Sequence, residues 1–254
     1  MDLDRVLADF VRKAESAAQE LLEMIRALAG RWHQGRPGQK RDFEVGRLLE
    51  ELLGIPANSS KSPDYKGIEI KASRRNAGTR QTLFAKVPDW SISPLKSSAQ
   101  ILDAFGYQRA EKYARQLRCT VSAKAPNTQG LFLVVENASG LLLEASTVPT
   151  HPKVAYWPVE GLQAALLAKH PETFWVSAAC KKDGDREAFK YEHVLHTLKP
   201  MASALPTLLE AGTITVDHLI TRKLDGHVSE QGPLFKIPRK NFDLLFPPGE
   251  LYTL

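Results

Sequence analysis

Pro63-Asp64-Tyr65-Lys66-Gly67-Ile68-Glu69-Ile70-Lys71 runs from a turn into an alternating segment. Read as a strand over 67–73, the segment sends successive side chains to opposite faces. Ile68, Ile70 and Ala72 then face a core, while Glu69 and Lys71 share the other face. Asp64 stands just before the strand, where a turn would fold it back toward Glu69. Two carboxyl groups and an ammonium group are thereby brought to one strand end, although nothing in the letters obliges the turn to close.

Such a grouping suits phosphodiester hydrolysis. The scissile phosphate is anionic and repels hydroxide. Mg²⁺ prefers oxygen ligands and keeps several waters, so one or two carboxylates suffice to hold it against a phosphate. A lysine beside it can orient the nucleophile and stabilise charge in the transition state. Two neighbouring carboxylates repel each other, and a lysine with a metal relieves that repulsion. Taken alone, Asp…Glu-x-Lys also describes a surface strand with a solvated Glu–Lys pair, so its surroundings decide its weight.

Outward from this segment, RRNAGTRQ (74–81) is a basic turn and TLFAKV (82–87) a second strand, which together predict a hairpin with 67–73. Arg74, Arg75 and Arg80 flank that turn, and Lys86 lies on the returning strand. All four are candidates to contact DNA phosphates. Upstream, residues 41–53 form a helix with an apolar stripe of Val45, Leu48, Leu49, Leu52 and Leu53, closed by Gly54 and Pro56. Glu50 sits on the flank of that stripe. A longer amphipathic helix is predicted over 3–30.

Downstream, 97–118 reads as a helix, 130–146 as a hairpin, 153–157 as a strand and 159–169 as a helix. Residues 174–181 and 189–196 read as a strand pair turning at Asp183–Gly184. Residues 200–212 read as a short helix, 213–223 and 232–238 as pairing strands, and 241–246 as a terminal helix. Intermixed helices and short strands indicate a mixed α+β or α/β fold. A catalytic portion over 1–125 and a DNA-gripping remainder over 126–254 are expected.

The 254 residues carry a net charge of +5 and a pI of about 9.1. Residues 31–80 hold eleven Lys/Arg against six Asp/Glu, an excess equal to that of the whole chain. A local positive field attracts a polyanion. Cys119 and Cys180 are the only cysteines, which excludes a disulfide framework or a cysteine zinc cage. No apolar run reaches membrane-spanning length, and MDLDRVLADF lacks the order of a secretory signal. A cytoplasmic location is expected. His193 and His196, three apart on a strand, point to opposite faces and read as ordinary histidines. Trp90, Trp157 and Trp175 read as packing residues.

The run Phe43-Glu44-Val45-Gly46-Arg47-Leu48-Leu49-Glu50-Glu51-Leu52-Leu53-Gly54, followed by Asp64 and Gly67-Ile68-Glu69-Ile70-Lys71, resembles the PD-(D/E)XK nucleases of the MvaI/BcnI restriction endonuclease family. It is also similar to the related mismatch-repair nickase MutH. The match covers roughly 41–73. Weaker similarity continues through Leu83–Lys86, Leu208–Gly212 and Gly232–Ile237. The short gap between Asp64 and Glu69 is nearer the MvaI type.

The resemblance implies a PD-(D/E)XK core, with a central mixed sheet flanked by helices and two lobes around a DNA cleft. It implies Asp64 and Glu69 as metal ligands, Lys71 as the catalytic lysine and Glu50 as an acidic residue at the metal. By the same analogy Arg222, His227 and Lys236 are candidates for base readout. The expected activity is Mg²⁺-dependent cleavage of duplex DNA by a type II-like restriction endonuclease, a monomer that nicks each strand in turn. Mn²⁺ is expected to substitute, and Ca²⁺ to bind without supporting cleavage. A companion DNA methyltransferase in a bacterial or archaeal cell is implied. The alternatives are a MutH-like repair nickase and a catalytically inactive DNA-binding module. The second is disfavoured because Glu50, Asp64, Glu69 and Lys71 are all present.

Overall fold

A computed structural model of the chain describes residues 17–38, 43–56, 62–75, 78, 80–108 and 111–254. The first part of the predicted N-terminal helix, the connection over 57–61 and much of the basic turn after Arg75 lie outside these residues. The fold divides into two units. The first draws its described residues from Met1–Gly78, Ala168–Lys199 and Pro247–Leu254, the second from Thr79–Leu167 and Pro200–Phe246. The division follows the sheets.

In the first unit a helix over 17–26 (α1) precedes β1 (His33–Gln34), α2 (Glu44–Leu52) and β2 (Glu69–Arg74). β2 obeys the predicted alternation. Ile68 and Ile70 enter a core with Leu21, Leu22 and Ile25 of α1 and Val45, Leu48 and Leu49 of α2. Burying such side chains stabilises by about 1.5–3 kcal/mol each, and it fixes which face of β2 turns inward.

The pairing of β2 departs from the expected hairpin. β2 runs parallel to β8 (Glu172–Asp183), with Glu69 opposite Thr173 and Lys71 opposite Trp175. β8 pairs antiparallel with β9 (Arg186–Leu198), as the sequence predicts, and β1 and β13 (Glu250–Thr253) both pair with β9. The strand expected to return beside β2 is β3 (Gln81–Ala85), and it belongs to the second unit. It pairs there with β12 (Leu234–Ile237). A basic turn between two short strands is a local signal, whereas sheet partners are chosen by tertiary packing. Lys86 therefore stands beside β12, its N–H donating to the Pro233 carbonyl at 3.1 Å, and not beside β2.

The second unit holds one sheet built around β10 (Thr215–Lys223). β4 (Tyr113–Val121) lies on one side of it, and β12 and β11 (Val228–Glu230) lie on the other. A three-stranded antiparallel sheet follows the order β5 (Leu131–Glu136), β6 (Leu141–Ser146), β7 (Lys153–Pro158). His218 on β10 and Glu144 on β6 form a fully buried pair at 2.9 Å. Trp157 and Trp175 are buried packing residues, as expected.

The helix expected over 97–118 is α3 (Ser98–Phe105), followed by the strand β4. Ser97 caps it by accepting from the Gln100 N–H at 3.3 Å. Gly106 ends it with an extended backbone, and a Cβ there would lie 2.4 Å from the Leu102 carbonyl oxygen. α4 (Val159–Lys169) and α5 (Leu205–Glu210) match predicted helices, with α5 entered through a 3₁₀ turn at Ala202–Ala204. The terminal helix is a 3₁₀ segment at Arg239–Leu244. Among the described residues no helix is long and apolar enough to cross a membrane.

Candidate active site

The site begins with a two-residue turn. Tyr65 and Ile68 exchange backbone hydrogen bonds of 2.9 and 2.7 Å, and the residues between them, Lys66 and Gly67, have φ of 45° and 91°. Positive φ at both central positions is the signature of the tight hairpin turn that suits strand twist. The turn folds Asp64 back, so that its Oδ2 accepts a 2.9 Å hydrogen bond from the Ile70 N–H. The expected return of Asp64 toward the strand is therefore present.

Glu69, the first residue of β2, is completely buried. Its Oε1 meets Lys71 Nζ, and its Oε2 lies 2.8 Å from Lys169 Nζ. These are ion pairs only. Neither carboxylate oxygen accepts a hydrogen bond of normal direction. Burial pushes the Glu69 carboxyl above its ordinary range. Lys71 and Lys169 oppose that rise, and Asp64 adds to it.

Glu50 projects from α2 and is likewise pushed up, first by burial and then by the charge of Asp64, against the pull of Lys71 and Lys169. These five groups thus share one electrostatic neighbourhood in the first unit. Glu50 is distinct from Glu44 on the same helix. Glu44 is fully buried, accepts from Arg47 at 2.6 and 2.9 Å and from the Arg36 N–H at 2.8 Å, and is held below the usual carboxylate range.

A divalent ion is a chemical fit to this donor set. Mg²⁺ needs only one or two carboxylates, since waters complete its shell. The two Glu69 oxygens are buried anionic donors whose charge is balanced by Lys71 and Lys169. Among the described residues no three acidic, histidine or cysteine side chains form a ready-made metal cage. The carboxylates available to such an ion are those that flank the turn, with Glu50 coupled to them by charge.

Lys169 was not legible in the sequence as a site residue. It stands 98 positions after Lys71, at the end of a helix that reads as ordinary. The parallel pairing of β2 with β8 brings it in. Parallel strands start at the same edge of a sheet, so the segments that enter them meet there. Lys169 precedes β8 as Asp64 precedes β2.

The candidate DNA-contacting residues separate into groups. Arg74, at the end of β2, pairs with Glu187 at 2.6 Å, and Arg75 pairs with Glu192 at 2.9 Å. In the second unit, Arg80 and Lys236 converge on Asp217, each at 3.0 Å. Burial works against the Asp217 charge, yet the Thr120 hydroxyl with Lys236 and Arg80 holds that carboxyl below its ordinary range. The sequence reading missed Asp217, which looks like any polar residue in a strand. Arg222 is engaged by Asp103 through both carboxylate oxygens. His227 is exposed in the turn before β11, its N–H bonded to Asp225 Oδ1 at 2.9 Å.

A mixed sheet backed by helices, with Asp, Glu and Lys gathered where one strand begins, defines a nuclease of the restriction-endonuclease-like class. The model of the MvaI/BcnI restriction endonuclease family matches residues 22–246, and the chain belongs to that family. Among solved structures it is similar to restriction endonuclease MvaI in complex with cognate DNA substrate. The TM-score is 0.78 at 22% identity, over 92% of this chain and 97% of that one. MvaI in the absence of DNA matches with a TM-score of 0.53 at 22% identity, over 93% and 97% of the two chains. No curated relative matches the chain.

Proposed function

We propose that the chain is a type II-like restriction endonuclease that hydrolyses phosphodiester bonds in specific sequences of duplex DNA, with Mg²⁺ as its cofactor. The observation that carries this reading is the gathering of Asp64, Glu69 and Lys71 about the turn into β2. Family membership and the likeness to a structure solved with cognate DNA substrate support it. The enzyme acts as a monomer and nicks the two strands in turn, and a companion methyltransferase protects the host sites.

Asp64 and Glu69 hold the divalent ion, with Glu50 adding negative charge beside them. The ion supplies charge neutralisation at the phosphate and a more acidic water. Lys71 orients the attacking water and offsets charge that builds on the phosphoryl oxygens. The water oxygen bonds to phosphorus, one bridging P–O bond breaks, and the departing oxygen takes up a proton. Arg74, Arg75, Arg80 and Lys86 hold backbone phosphates, while Arg222, His227 and Lys236 address base edges.

Digestion of a sequenced plasmid with Mg²⁺, followed by mapping of the ends, tests the proposal. Discrete termini at one recurring sequence are expected. Asp64→Ala, Glu69→Ala and Lys71→Ala should each lower the cleavage rate by at least about 10²-fold while the proteins still melt cooperatively. Undiminished cutting by Asp64→Ala would refute the assignment. Persistence of nicked circles with no linear product would favour a repair-type nickase.

A further inference from the structure

Glu69 has no contact with solvent, so its charge has to be balanced by neighbouring groups. One lysine on each oxygen provides that balance: Lys71 from the same strand, and Lys169 from the end of α4. For Glu69 to serve as a metal ligand, the cation has to compete with these lysines. A divalent cation reaching this carboxylate meets an ammonium group already in contact with each oxygen. Two cations at contact distance from one oxygen repel strongly where water is scarce.

One of the two ammonium groups has to give way, and the surroundings distinguish them. Lys71 projects from β2 two residues from Glu69, and the proposed chemistry needs its ammonium group beside the phosphate. Lys169 is the last residue of its helix and pairs with the other Glu69 oxygen. Its Nζ already lies 3.4 Å from the Ser62 carbonyl oxygen, an acceptor next to the turn that carries Asp64. The carbonyls at a helix C-terminus also favour a cation nearby. Lys169 can leave Glu69 and still be solvated by the backbone.

We propose that Lys169 is a positioning residue: a built-in counter-ion that occupies Glu69 Oε2 in the metal-free protein and is displaced from it when a divalent cation binds. The proposal rests on the reading of Asp64 and Glu69 as the metal-holding pair. It assigns to Lys169 a role in metal affinity that is separate from any contact with DNA.

The test uses the full chain without DNA. Mn²⁺ is titrated into the protein, and the free-ion electron paramagnetic resonance signal is followed. Lys169→Gln and Lys169→Met should bind Mn²⁺ about tenfold more tightly than wild type, because the competing charge is gone. Lys169→Arg, which keeps the charge, should stay near wild type. Thermal melts without metal establish that the variants are folded, and the glutamine variant serves if the methionine variant is not. Unchanged or weaker Mn²⁺ binding by folded Lys169→Gln would overturn the counter-ion role while leaving the metal site standing. Mn²⁺ uptake by wild type that survives in Glu69→Gln would overturn the metal-site reading and the counter-ion role with it.

Discussion

Glu44 and Glu50 lie on the same helix, six residues apart, and their surroundings drive them in opposite directions. Glu44 is buried with every contact a donor, so its charged form is favoured. Glu50 is half-withdrawn from water beside another carboxylate, so its neutral form is favoured. The first supports the fold and the second lies beside the candidate site. Glu44→Gln should therefore destabilise the protein by about 2–3 kcal/mol at neutral pH, since it takes away the buried carboxylate that holds Arg47 and leaves that guanidinium only the exposed Glu51. The Glu44 carboxyl titrates lower in the folded chain than in the unfolded one. Its contribution is present above the unfolded value and is lost as pH falls through the folded value. Urea melts of both proteins across pH should show the gap closing on acidification. A gap independent of pH would show that the charge of Glu44 is not what matters. From the sequence, the two glutamates could be told apart only by the position of Glu50 beside the apolar stripe.

At the scale of elements, the turn at Lys66-Gly67 decides whether the site exists. It carries no catalytic group, yet it sets where Asp64 meets the strand. Gly67 has open space around its Cα but a φ of 91°, so a side chain there is strained without colliding with anything. Gly67→Ala should cost about 1–2 kcal/mol of stability. If the turn shifts, Asp64 loses the Ile70 N–H and the cleavage rate should fall by more than that loss of stability explains. Chemical denaturation and single-turnover cleavage, measured together, check this. Full activity in a destabilised Gly67→Ala protein would show that Asp64 needs no help from the turn. The alternation of β2 was legible and the turn was an open possibility, since each depends on a few neighbouring residues. The partner of β2 was not. The arginine-rich connection after it resembles a hairpin tip, but β3 closes onto β12 across more than 140 residues of chain. Likewise, the polar residues that follow Gly106 carry the alternation of β4, which the sequence reading absorbed into a longer helix.

At the scale of the whole molecule, the net charge of +5 and the basic window around the motif bear on association with DNA. If phosphate contacts dominate affinity, duplex binding should weaken steadily with salt, linear in the logarithms of affinity and salt concentration. Replacing one phosphate-contacting residue should reduce that slope by about one. Fluorescence anisotropy with Ca²⁺ in place of Mg²⁺ measures the slope, and Lys86→Ala, on an exposed side chain, is the informative variant. Binding indifferent to salt would remove the electrostatic basis of the DNA reading. Arg222, Arg80 and Lys236 respond differently, because each is already ion-paired to an aspartate. Their carboxylate partners fix where the cations stand before any nucleic acid arrives.

The letters alone were sufficient for the inward face of β2, the Glu69–Lys71 pair on its other face and the helix that carries Glu50, and they allowed a turn that returns Asp64. Each of these follows from periodicity or turn chemistry within a dozen residues. Only the tertiary structure decided that β2 lies parallel to β8, that Lys169 thereby reaches Glu69, and that Asp217 gathers Arg80 and Lys236. Such contacts join segments far apart in the chain, and their partners are selected by how sheets and helices pack. No local pattern of residues encodes that choice.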